Sequence, residues 1–239
     1  MAVFAIADLH LGFGVSKPMS VFGTRWEGHE QLLAERWQEA VAPGDTVLIP
    51  GDISWAMTLE EALPDLSYLD RLPGRKILSR GNHDYWWTSL AKIERFCREM
   101  ALESLTFMRN NSFAVGPDIQ VCGTRGWLVP EDPEFQPEDE KIYLREAGRL
   151  QLSLEAAVKT DGSALRRIVC LHYPPFGRTG QPTLFTELLS RHEAGLCVYG
   201  HIHGAVREPA VPEIPGARAY RLVAADYLNF RPLRLDDLV

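Results

Sequence analysis

The chain has 239 residues, a formal net charge of −7 at pH 7 and an apolar fraction of 46%. A chain of this length and composition can bury a large core without disulfide staples, and we expect one domain over residues 1–239. The negative net charge does not favour nonspecific binding of extended nucleic acid. Any phosphate-bearing partner must therefore bind at a site that is locally positive.

Neither the N-terminal stretch nor the cysteines indicate export or membrane insertion. "MAVFAIADLH" has a short apolar run with no basic region before it and an aspartate directly after it, unlike a signal peptide or a membrane span. The four cysteines are far apart and form no CxxC pair; they are Cys97, Cys122, Cys170 and Cys197. We therefore expect reduced core thiols, a cytoplasmic location and no membrane partner, while the pattern specifies no oligomeric state.

Short apolar runs predict strands that end in Gly, Pro, Asp, Asn or His. In chain order these runs are "VFAIADLH" (3–10), "TVLIPGD" (46–52), "KILSRGNHD" (76–84), "IQVCGTRG" (119–126), "RIVCLHYPP" (167–175) and "LCVYGHIH" (196–203). Segments with helical spacing lie between several of them, for example Leu33, Trp37 and Val41, or Tyr143 and Ala147. The alternation predicts an α/β fold with buried sheets.

Two irregular segments interrupt this alternation. Residues 12–28, "GFGVSKPMSVFGTRWEG", are glycine-rich and patternless, and long loops in compact domains are often functional. The "GFGVSK" within it lacks the third glycine of a dinucleotide fingerprint and the GK[ST] end of a Walker loop, which argues against both kinds of nucleotide site. Residues 129–140, "VPEDPEFQPEDE", predict a solvated loop that leads into a helix.

Residues of the types that commonly bind metals lie at the predicted strand ends. Five of the seven histidines lie there, namely His10, His83, His172, His201 and His203. Taken singly, each has an ordinary explanation as a hydrogen-bonded loop histidine. The carboxyl ends of strands in an open α/β sheet form one crevice, however, so these side chains are expected to share it with two strand-end aspartates. Buried carboxylates and imidazoles at such density require a compensating cation.

The donors suit two divalent ions better than one. There are seven of them: Asp8, His10, Asp52, Asn82, His172, His201 and His203. Seven donors are too many for a single tetrahedral site but suit a pair of ions bridged by one carboxylate. Asp8 with His10, and His201 with His203, stand at i and i+2, so each pair points the same way from an extended segment.

The ordered motifs "DLH", "GD", "GNHD", the lone histidine of "LHYPP" and "GHIH" resemble the calcineurin-like metallophosphoesterase superfamily from residue 8 to residue 203. The 12–28 loop and the double tryptophan at 86–87 further resemble a poorly characterised bacterial branch of predicted phosphohydrolases. The resemblance implies a four-layer αββα sandwich, with two facing mixed sheets flanked by helices and a dinuclear metal site at the strand ends. It also implies that Asp8, His10 and His203 bind one metal. Asn82, His172 and His201 would bind the other, and Asp52 would bridge the two.

The resemblance implies a metal-dependent phosphoesterase, either a phosphomonoesterase or a phosphodiesterase, acting on a small phosphate ester, with a nucleotide among the candidates. Two dications would hold a hydroxide between them as the nucleophile. Asp8 and Asp52 contribute −2, the metals +4 and the hydroxide −1, which leaves about +1 to attract phosphate. Mixed nitrogen and oxygen ligation favours manganese or iron, with zinc as a further candidate. The alternative is a non-hydrolytic metal-binding scaffold or protein-interaction module on the same fold.

Other residues near the motifs have candidate roles in catalysis and specificity. His83 is expected to protonate the leaving group; the alternative is that it only forms hydrogen bonds that support the metal ligands. Asp84 is expected to orient the His83 ring or to cap a helix that begins near residue 88. Candidate substrate contacts are Arg25, Trp26, Trp86, Arg125 and Tyr173. The alternatives are core anchoring for the tryptophans and surface salt bridges for the arginines.

Overall fold

The computed structural model describes residues 1–159, 166–177, 181–204 and 219–238. Its strands are β1 (Val3–Ala5), β2 (Thr46–Pro50), β3 (Arg75–Ser79), β4 (Leu105–Met108), β5 (Ser112–Val115), β6 (Ile119–Gly123), β7 (Arg166–Leu171), β8 (Leu196–Tyr199), β9 (Tyr220–Leu222) and β10 (Leu233–Arg234). Its α-helices are α1 (His29–Ala40), α2 (Leu59–Arg71), α3 (Leu90–Glu99), α4 (Asp139–Lys159) and α5 (Leu184–Arg191). Short 3-10 helices cover Met19–Phe22, Thr24–Trp26 and Asp236–Leu238.

The strands form two five-stranded sheets, with orders β10-β1-β2-β3-β4 and β5-β6-β7-β8-β9. In each sheet one outer strand, β10 or β5, is antiparallel to its neighbour, and the remaining pairs are parallel. The helices α1 to α3 connect parallel strands of the first sheet, and α4 and α5 connect those of the second, because parallel neighbours need a crossover. The carboxyl ends of the parallel strands therefore meet at a common edge of each sheet.

Side chains alternate between the two faces of each sheet, which produces four layers. In β2, Val47 and Ile49 pack in the cluster that contains α1, α2 and α3, whereas Leu48 belongs to the cluster between the sheets. In β7, Val169 packs towards α4 and α5, and Ile168 joins Leu48 in the interior. The order of layers is helices, sheet, sheet, helices, so the predicted αββα sandwich of two mixed sheets is confirmed.

The predicted helical stripes and core thiols are also confirmed. Leu33 and Trp37 are buried in α1, and Tyr143 and Ala147 are buried in α4. The four cysteines are buried free thiols. The segment from residue 129 leads into α4, where Asp139 accepts a 2.9 Å hydrogen bond from the indole N–H of Trp127. Within the described residues, none of the helices combines the length and the apolar character needed to cross a bilayer.

Candidate metal centre

The loops that follow β1, β2, β7 and β8 are joined by backbone hydrogen bonds at one edge of the sandwich. The amide of Asp8 donates to the carbonyl of Gly51 at 3.0 Å, and the amide of His10 donates to that of Asp52 at 3.0 Å. Across the sheets, the His201 amide donates to the Asp8 carboxylate at 3.0 and 3.1 Å. The pairing brings donor residues from strands far apart in sequence into one buried cluster.

Four of the candidate ligands have a left-handed backbone, which non-glycine residues seldom adopt. Their φ values are 59° at Asp8, 47° at His10, 52° at Asp52 and 70° at His201. Such conformations cost about 1 kcal/mol or more each and persist where the surrounding structure enforces them, most often at functional sites. The segments that carry Asp8, His10 and His201 are therefore not extended as predicted, so the i and i+2 spacing does not by itself explain why these side chains converge.

Two neighbouring glycines are required by the close packing around the carboxylates. A Cβ on Gly81 would overlap the Asp52 carboxylate, and a Cβ on Gly200 would overlap that of Asp8. Both carboxylates are buried and accept hydrogen bonds from backbone amides, of His83 and of His201, so larger residues at these positions would displace the donors. The glycines of "GNHD" and "GHIH" therefore have a steric role.

The first group of donors consists of Asp8, His10, Asp52 and His203, whose ligand atoms all lie within 4.8 Å of one another. His10 Nε2 lies 3.0 Å from His203 Nε2, and His203 Nε2 lies 3.7 Å from Asp8 Oδ1. Two nitrogens and a carboxylate oxygen thus face a common point. The structure brings together the donors that the sequence assigns to one metal.

The second group consists of Asn82, His172 and His201. Asn82 Oδ1 lies 2.6 Å from His172 Nε2 and 3.1 Å from His201 Nδ1. Asp52 Oδ2 lies between the two groups, 3.5 Å from His172 Nε2 and 3.8 Å from His10 Nε2. The position of this oxygen matches the bridging role expected of Asp52.

The donors fit a pair of divalent cations. His172 Nδ1 faces the Pro50 carbonyl at 3.1 Å, and because a carbonyl only accepts, the proton lies on Nδ1. The Nε2 lone pair of His172 therefore points at the oxygen of Asn82, an unfavourable arrangement that a cation would relieve. Asp52 Oδ2 is buried and has no hydrogen-bond partner among the described residues. Nitrogen and oxygen donors in this mixture suit first-row divalent metals.

The electrostatic state of the cluster leads to the same conclusion. Burial, reinforced by nearby histidines, lowers the pKa of His172 and of His201 to about 3, although the Pro50 carbonyl opposes the shift at His172. The imidazoles are therefore neutral, as ligands must be. Burial raises the pKa of Asp8 and of Asp52, because charged carboxylates in this setting are unstable without a cation.

Sequence reasoning missed Asp226, which orients His203. Its Oδ1 lies 3.5 Å from His203 Nδ1, and its Oδ2 accepts a 2.7 Å hydrogen bond from the Gly204 amide. Burial alone would lower the pKa of His203, but Asp226 and Asp8 raise it. A carboxylate behind a metal-binding histidine fixes its tautomer and ring orientation. The signal was present in "RLVAAD" (221–226), another apolar run that ends in aspartate.

His83 lines a cleft beside the first group of donors. Its ring centroid is 4.6 Å from that of Trp55 and 5.6 Å from that of His10, and its amide donates to Asp52 Oδ1 at 2.8 Å. Among the described residues its ring nitrogens have no hydrogen-bond partner. Burial lowers the pKa of His83, whereas the carboxylate of Asp52 raises it. The ring therefore faces the cleft, and its role in the reaction stays a prediction.

Both predicted roles of Asp84 are wrong. The N-cap of α3 is Ser89, and no hydrogen bond between described residues joins Asp84 to the His83 ring. The buried carboxylate instead accepts five N–H groups, from the backbone of Asp52, Ile53, Ser54 and Gly81 and from the indole of Trp86, at 2.7–3.2 Å. It joins the "GD" loop to the "GNHD" loop because these donors converge on it from both sides.

The cleft beside His83 has a volume of about 530 Å³. It is lined by His10, Met19, Phe22, Arg25, Trp26, Trp55, His83, His203, Gly204 and Asp226. The 12–28 loop supplies four of these residues, so that loop forms a wall of the cleft. Arg25 is anchored there by a 3.4 Å hydrogen bond from Nη1 to the Asp226 carbonyl, and Trp26 packs edge-on against His10 and His203.

His29 and Trp55 hold this wall against the metal centre, and sequence reasoning assigned neither a role. The ring nitrogens of His29 face the carbonyls of Leu9 and Trp26, each at 3.1 Å, which ties the end of the loop to the "DLH" motif. Trp55 stacks on His10 with ring centroids 4.7 Å apart, and Lys17 Nζ lies 3.2 Å from the Trp55 ring centroid. A single Trp or His in a loop carries no signal for such packing.

The other candidate substrate contacts do not line this cleft. Trp86 is 2% exposed, and its indole donates to Asp84, so it anchors the loop instead of meeting substrate. Tyr173 is 5% exposed, and its ring centroid lies 4.2 Å from that of His201. Arg125 lines a separate cavity, where its Nη2 lies 3.5 Å from Glu146 Oε1 and its guanidinium group stacks on Trp127. Of the five candidates, the cleft contains Arg25 and Trp26.

The four-layer fold and the buried aspartate and histidine cluster indicate a dinuclear site for divalent metal ions. The chain belongs to the calcineurin-like phosphoesterase family, whose sequence model matches residues 1–205. Membership supports metal-dependent hydrolysis of phosphate esters in general terms. It confirms the resemblance carried by the five motifs.

One relative matches most of the chain and another matches a third of it. The Gene 66 protein of Mycobacterium phage D29 is 27% identical over 207 residues, which cover 85% of this chain and 79% of that protein. The Gene 66 protein of Mycobacterium phage L5 is 37% identical over 78 residues, which cover 33% of this chain and 37% of that protein.

Two solved structures share the fold, each with 16% sequence identity. The protein of unknown function AQ665 from Aquifex aeolicus superposes with a TM-score of 0.57, covering 100% of this chain and 99% of its own. Phosphopantetheinyl hydrolase (PptH) from Mycobacterium tuberculosis superposes with a TM-score of 0.56, and the match covers 98% of this chain and 95% of that protein's chain. At this identity the likeness concerns the fold alone.

Proposed function

We propose that this protein hydrolyses a small phosphate ester at the metal centre. The observation that carries the proposal is the position of Asp52 Oδ2, which lies unpartnered between two groups of donors. Asp8, His10 and His203 would hold one ion, Asn82, His172 and His201 the other, and Asp52 both. Manganese or iron suits these donors, with zinc as a further candidate.

Two bound divalent ions would lower the pKa of water towards neutrality and neutralise charge on the phosphoryl oxygens. The protein's own residues prepare the site for this chemistry. The Pro50 carbonyl and the Asp226 carboxylate fix the orientations of His172 and His203. Asp84 fixes the loop that carries Asp52, so the donors need little rearrangement on binding.

His83 is the proposed general acid for the departing oxygen. Its half-buried ring lies on the cleft side of His10, and its nitrogens make no hydrogen bond within the described residues. Burial lowers the pKa of His83, and the nearby Asp52 carboxylate opposes that shift by favouring the protonated ring. A ring so placed could donate a proton to an alkoxide that leaves from the phosphorus.

The cleft walls favour an ester with an apolar or planar organic group. Met19, Phe22, Trp26 and Trp55 provide apolar and aromatic surface, while Arg25 provides a cation for the phosphate. Aromatic rings can stack on a base or another planar group, so a nucleotide fits this description. The net charge of −7 disfavours an extended nucleic acid as substrate.

The test loads chelator-stripped protein with Mn²⁺ and measures turnover of an aryl phosphate monoester and an aryl phosphodiester, together with metal content. Wild-type protein should bind two ions per chain and hydrolyse at least one of these esters. Asp52→Asn should lose ions and activity together, whereas Asp118→Asn, an exposed aspartate far from the centre, should retain both. A protein that binds two ions but hydrolyses neither ester would favour the non-hydrolytic scaffold.

The role of His83 has its own test, because a good leaving group needs no proton. His83→Ala should slow an alkyl phosphate on the order of 10²-fold and an aryl phosphate much less. His192→Ala, which removes a histidine at the end of α5, serves as the control. Equal slowing of both esters by His83→Ala would contradict the assignment.

A further inference from the structure

A second cavity beside the metal centre is surrounded by arginines. It has a volume of about 380 Å³, and five arginines line it, namely Arg80, Arg109, Arg125, Arg145 and Arg149. This cavity and the cleft beside His83 share no lining residue. Such a concentration of cations is unexpected in a chain of net charge −7 and requires negative charge to balance it.

The protein supplies only part of that charge. Glu146 is the acidic residue in the lining; its Oε1 lies 2.5 Å from Arg149 Nη1, 3.5 Å from Arg125 Nη2 and 3.8 Å from Arg145 Nε. One carboxylate therefore faces three guanidinium groups. Among the described residues Arg80 and Arg109 form no ion pair, and Arg80 Nε is buried without a hydrogen-bond partner. Five positive charges and one negative charge leave an excess of four.

Two of the arginines, Arg125 and Arg149, are held in place by Glu146 before any ligand arrives. Glu146 is fully buried and also accepts a 2.8 Å hydrogen bond from Thr124 Oγ1. Arg125 stacks on Trp127, with its Cζ 4.3 Å from the ring centroid. Burial and the nearby Arg80 lower the pKa of Arg125, while Glu146 raises it. The planar guanidinium group of arginine matches the oxygens of phosphate, which it binds through two parallel hydrogen bonds.

The cavity adjoins the second group of metal ligands. Arg80 directly precedes Gly81 and Asn82, and the Arg125 carbonyl accepts the amide of His172 at 2.9 Å. An anion bound here would therefore lie next to the loops that carry two donors.

We propose that the arginine cavity binds a small oxyanion with two or more negative charges, of which a polyphosphate is the best match. The anion could be a second phosphate of the substrate or a separate ligand, and both share this chemistry. The cavity stands on its own geometry, so its ligand can be tested whether or not the metal centre hydrolyses esters.

The test is calorimetric titration with inorganic pyrophosphate, on metal-loaded protein and on protein stripped of metal and dialysed. Both forms should bind one pyrophosphate in the arginine cavity, because that cavity shares no lining residue with the cleft beside His83 and its cations are arginines of the chain itself. Arg109→Gln with Arg145→Gln should weaken binding at least about tenfold, since each substitution removes a hydrogen bond from a charged donor to the anion. Both arginines are exposed, so folding should be retained.

The matched control is Arg95→Gln with Arg98→Gln, which removes the same charge from the exposed side of α3. Binding by this control should stay within about twofold of wild type. No binding to stripped protein, or equal weakening by the two double variants, would overturn the proposal, because binding would then come from the metals or from net charge.

Kinetics distinguish the two sources of the anion, and this arm rests on the proposed function. If the cavity holds a second phosphate of the substrate, Arg109→Gln with Arg145→Gln should raise KM for a bisphosphorylated ester and leave KM for 4-nitrophenyl phosphate unchanged. If the ligand is separate, KM for both esters should be unchanged while pyrophosphate binding is still weakened.

Discussion

Replacing Asp84 with asparagine tests whether one carboxylate holds the two loops of the metal centre together. Oδ1 of Asp84 accepts N–H groups from Ile53, Ser54 and Trp86, and Oδ2 accepts those of Asp52 and Gly81. Asparagine has the same shape but one oxygen, so at least two buried N–H groups would face its amide group and lose their acceptor.

The expected magnitude follows from that count. A buried donor left without an acceptor costs about 1–3 kcal/mol, so Asp84→Asn should lower the free energy of unfolding by about 2–6 kcal/mol. This is a large part of the roughly 5–15 kcal/mol that stabilises a typical domain. Displacement of the Asp52 amide should also reduce metal affinity by about 10–100-fold, as expected when support for a ligand is lost.

Urea denaturation followed by circular dichroism measures the first effect, and metal titration measures the second. Asp118→Asn is the control, because Asp118 is exposed and forms one surface ion pair with Arg166, expected to contribute less than about 1 kcal/mol. An Asp84→Asn protein within about 1 kcal/mol of wild type would refute the idea that this carboxylate accepts all five donors.

Three further changes test other parts of the structure. Burial lowers the pKa of Lys76 from the usual 10.5 to about 8, so the unfolded chain binds more protons between these pH values. Over that window, the stability of wild type relative to Lys76→Met should rise by about 3 kcal/mol, measured by urea unfolding across pH. Gly200→Ala should displace the Asp8 carboxylate and lower metal content, measured by elemental analysis. Asp226→Asn should weaken metal binding by about 10–100-fold, measured by titration, because His203 loses its orienting carboxylate.

Each of these has an outcome that would contradict it. A stability difference for Lys76→Met that does not vary from pH 8 to 10.5 would mean that the buried amine keeps its usual pKa. Gly148→Ala is the control for Gly200, since a Cβ there meets open space on α4 and should be neutral or stabilising. Unchanged metal content in Gly200→Ala, or unchanged affinity in Asp226→Asn, would remove these residues from the support of the centre.

Much of the site followed from local pattern, because strands have a period of two and end in recognisable residues. The strand runs ending at "DLH", "GNHD" and "GHIH" placed Asp8, Asn82 and His201 correctly, since parallel strands bring their carboxyl ends to one edge. The two-sheet architecture came with the motif resemblance. The burial of Leu48 between the sheets, with Val47 and Ile49 on the opposite face, agrees with it.

Roles that depend on partners far away in sequence could not be predicted. Asp84 stands beside His83, and local reasoning assigned it to that ring or to a helix cap. Its actual donors come from residues 52–54, which only the packing of two loops brings within reach. Asp226 lies at the end of an apolar run and so carried a strand-end signal. Its contact with His203, however, depends on the pairing of β9 with β8.

The sequence by itself determined that strands alternate with helices and that aspartates and histidines gather at the strand ends, because both depend on residue type at strand positions. The four layers came with the motif resemblance. Only the tertiary structure decided which tryptophan faces the cleft and which is an anchor, since Trp26 and Trp86 differ in their surroundings and not in their chemistry. It alone assembled the arginine cavity from β-strand ends and α4. Convergence of distant charges depends on packing, and no short-range pattern records it.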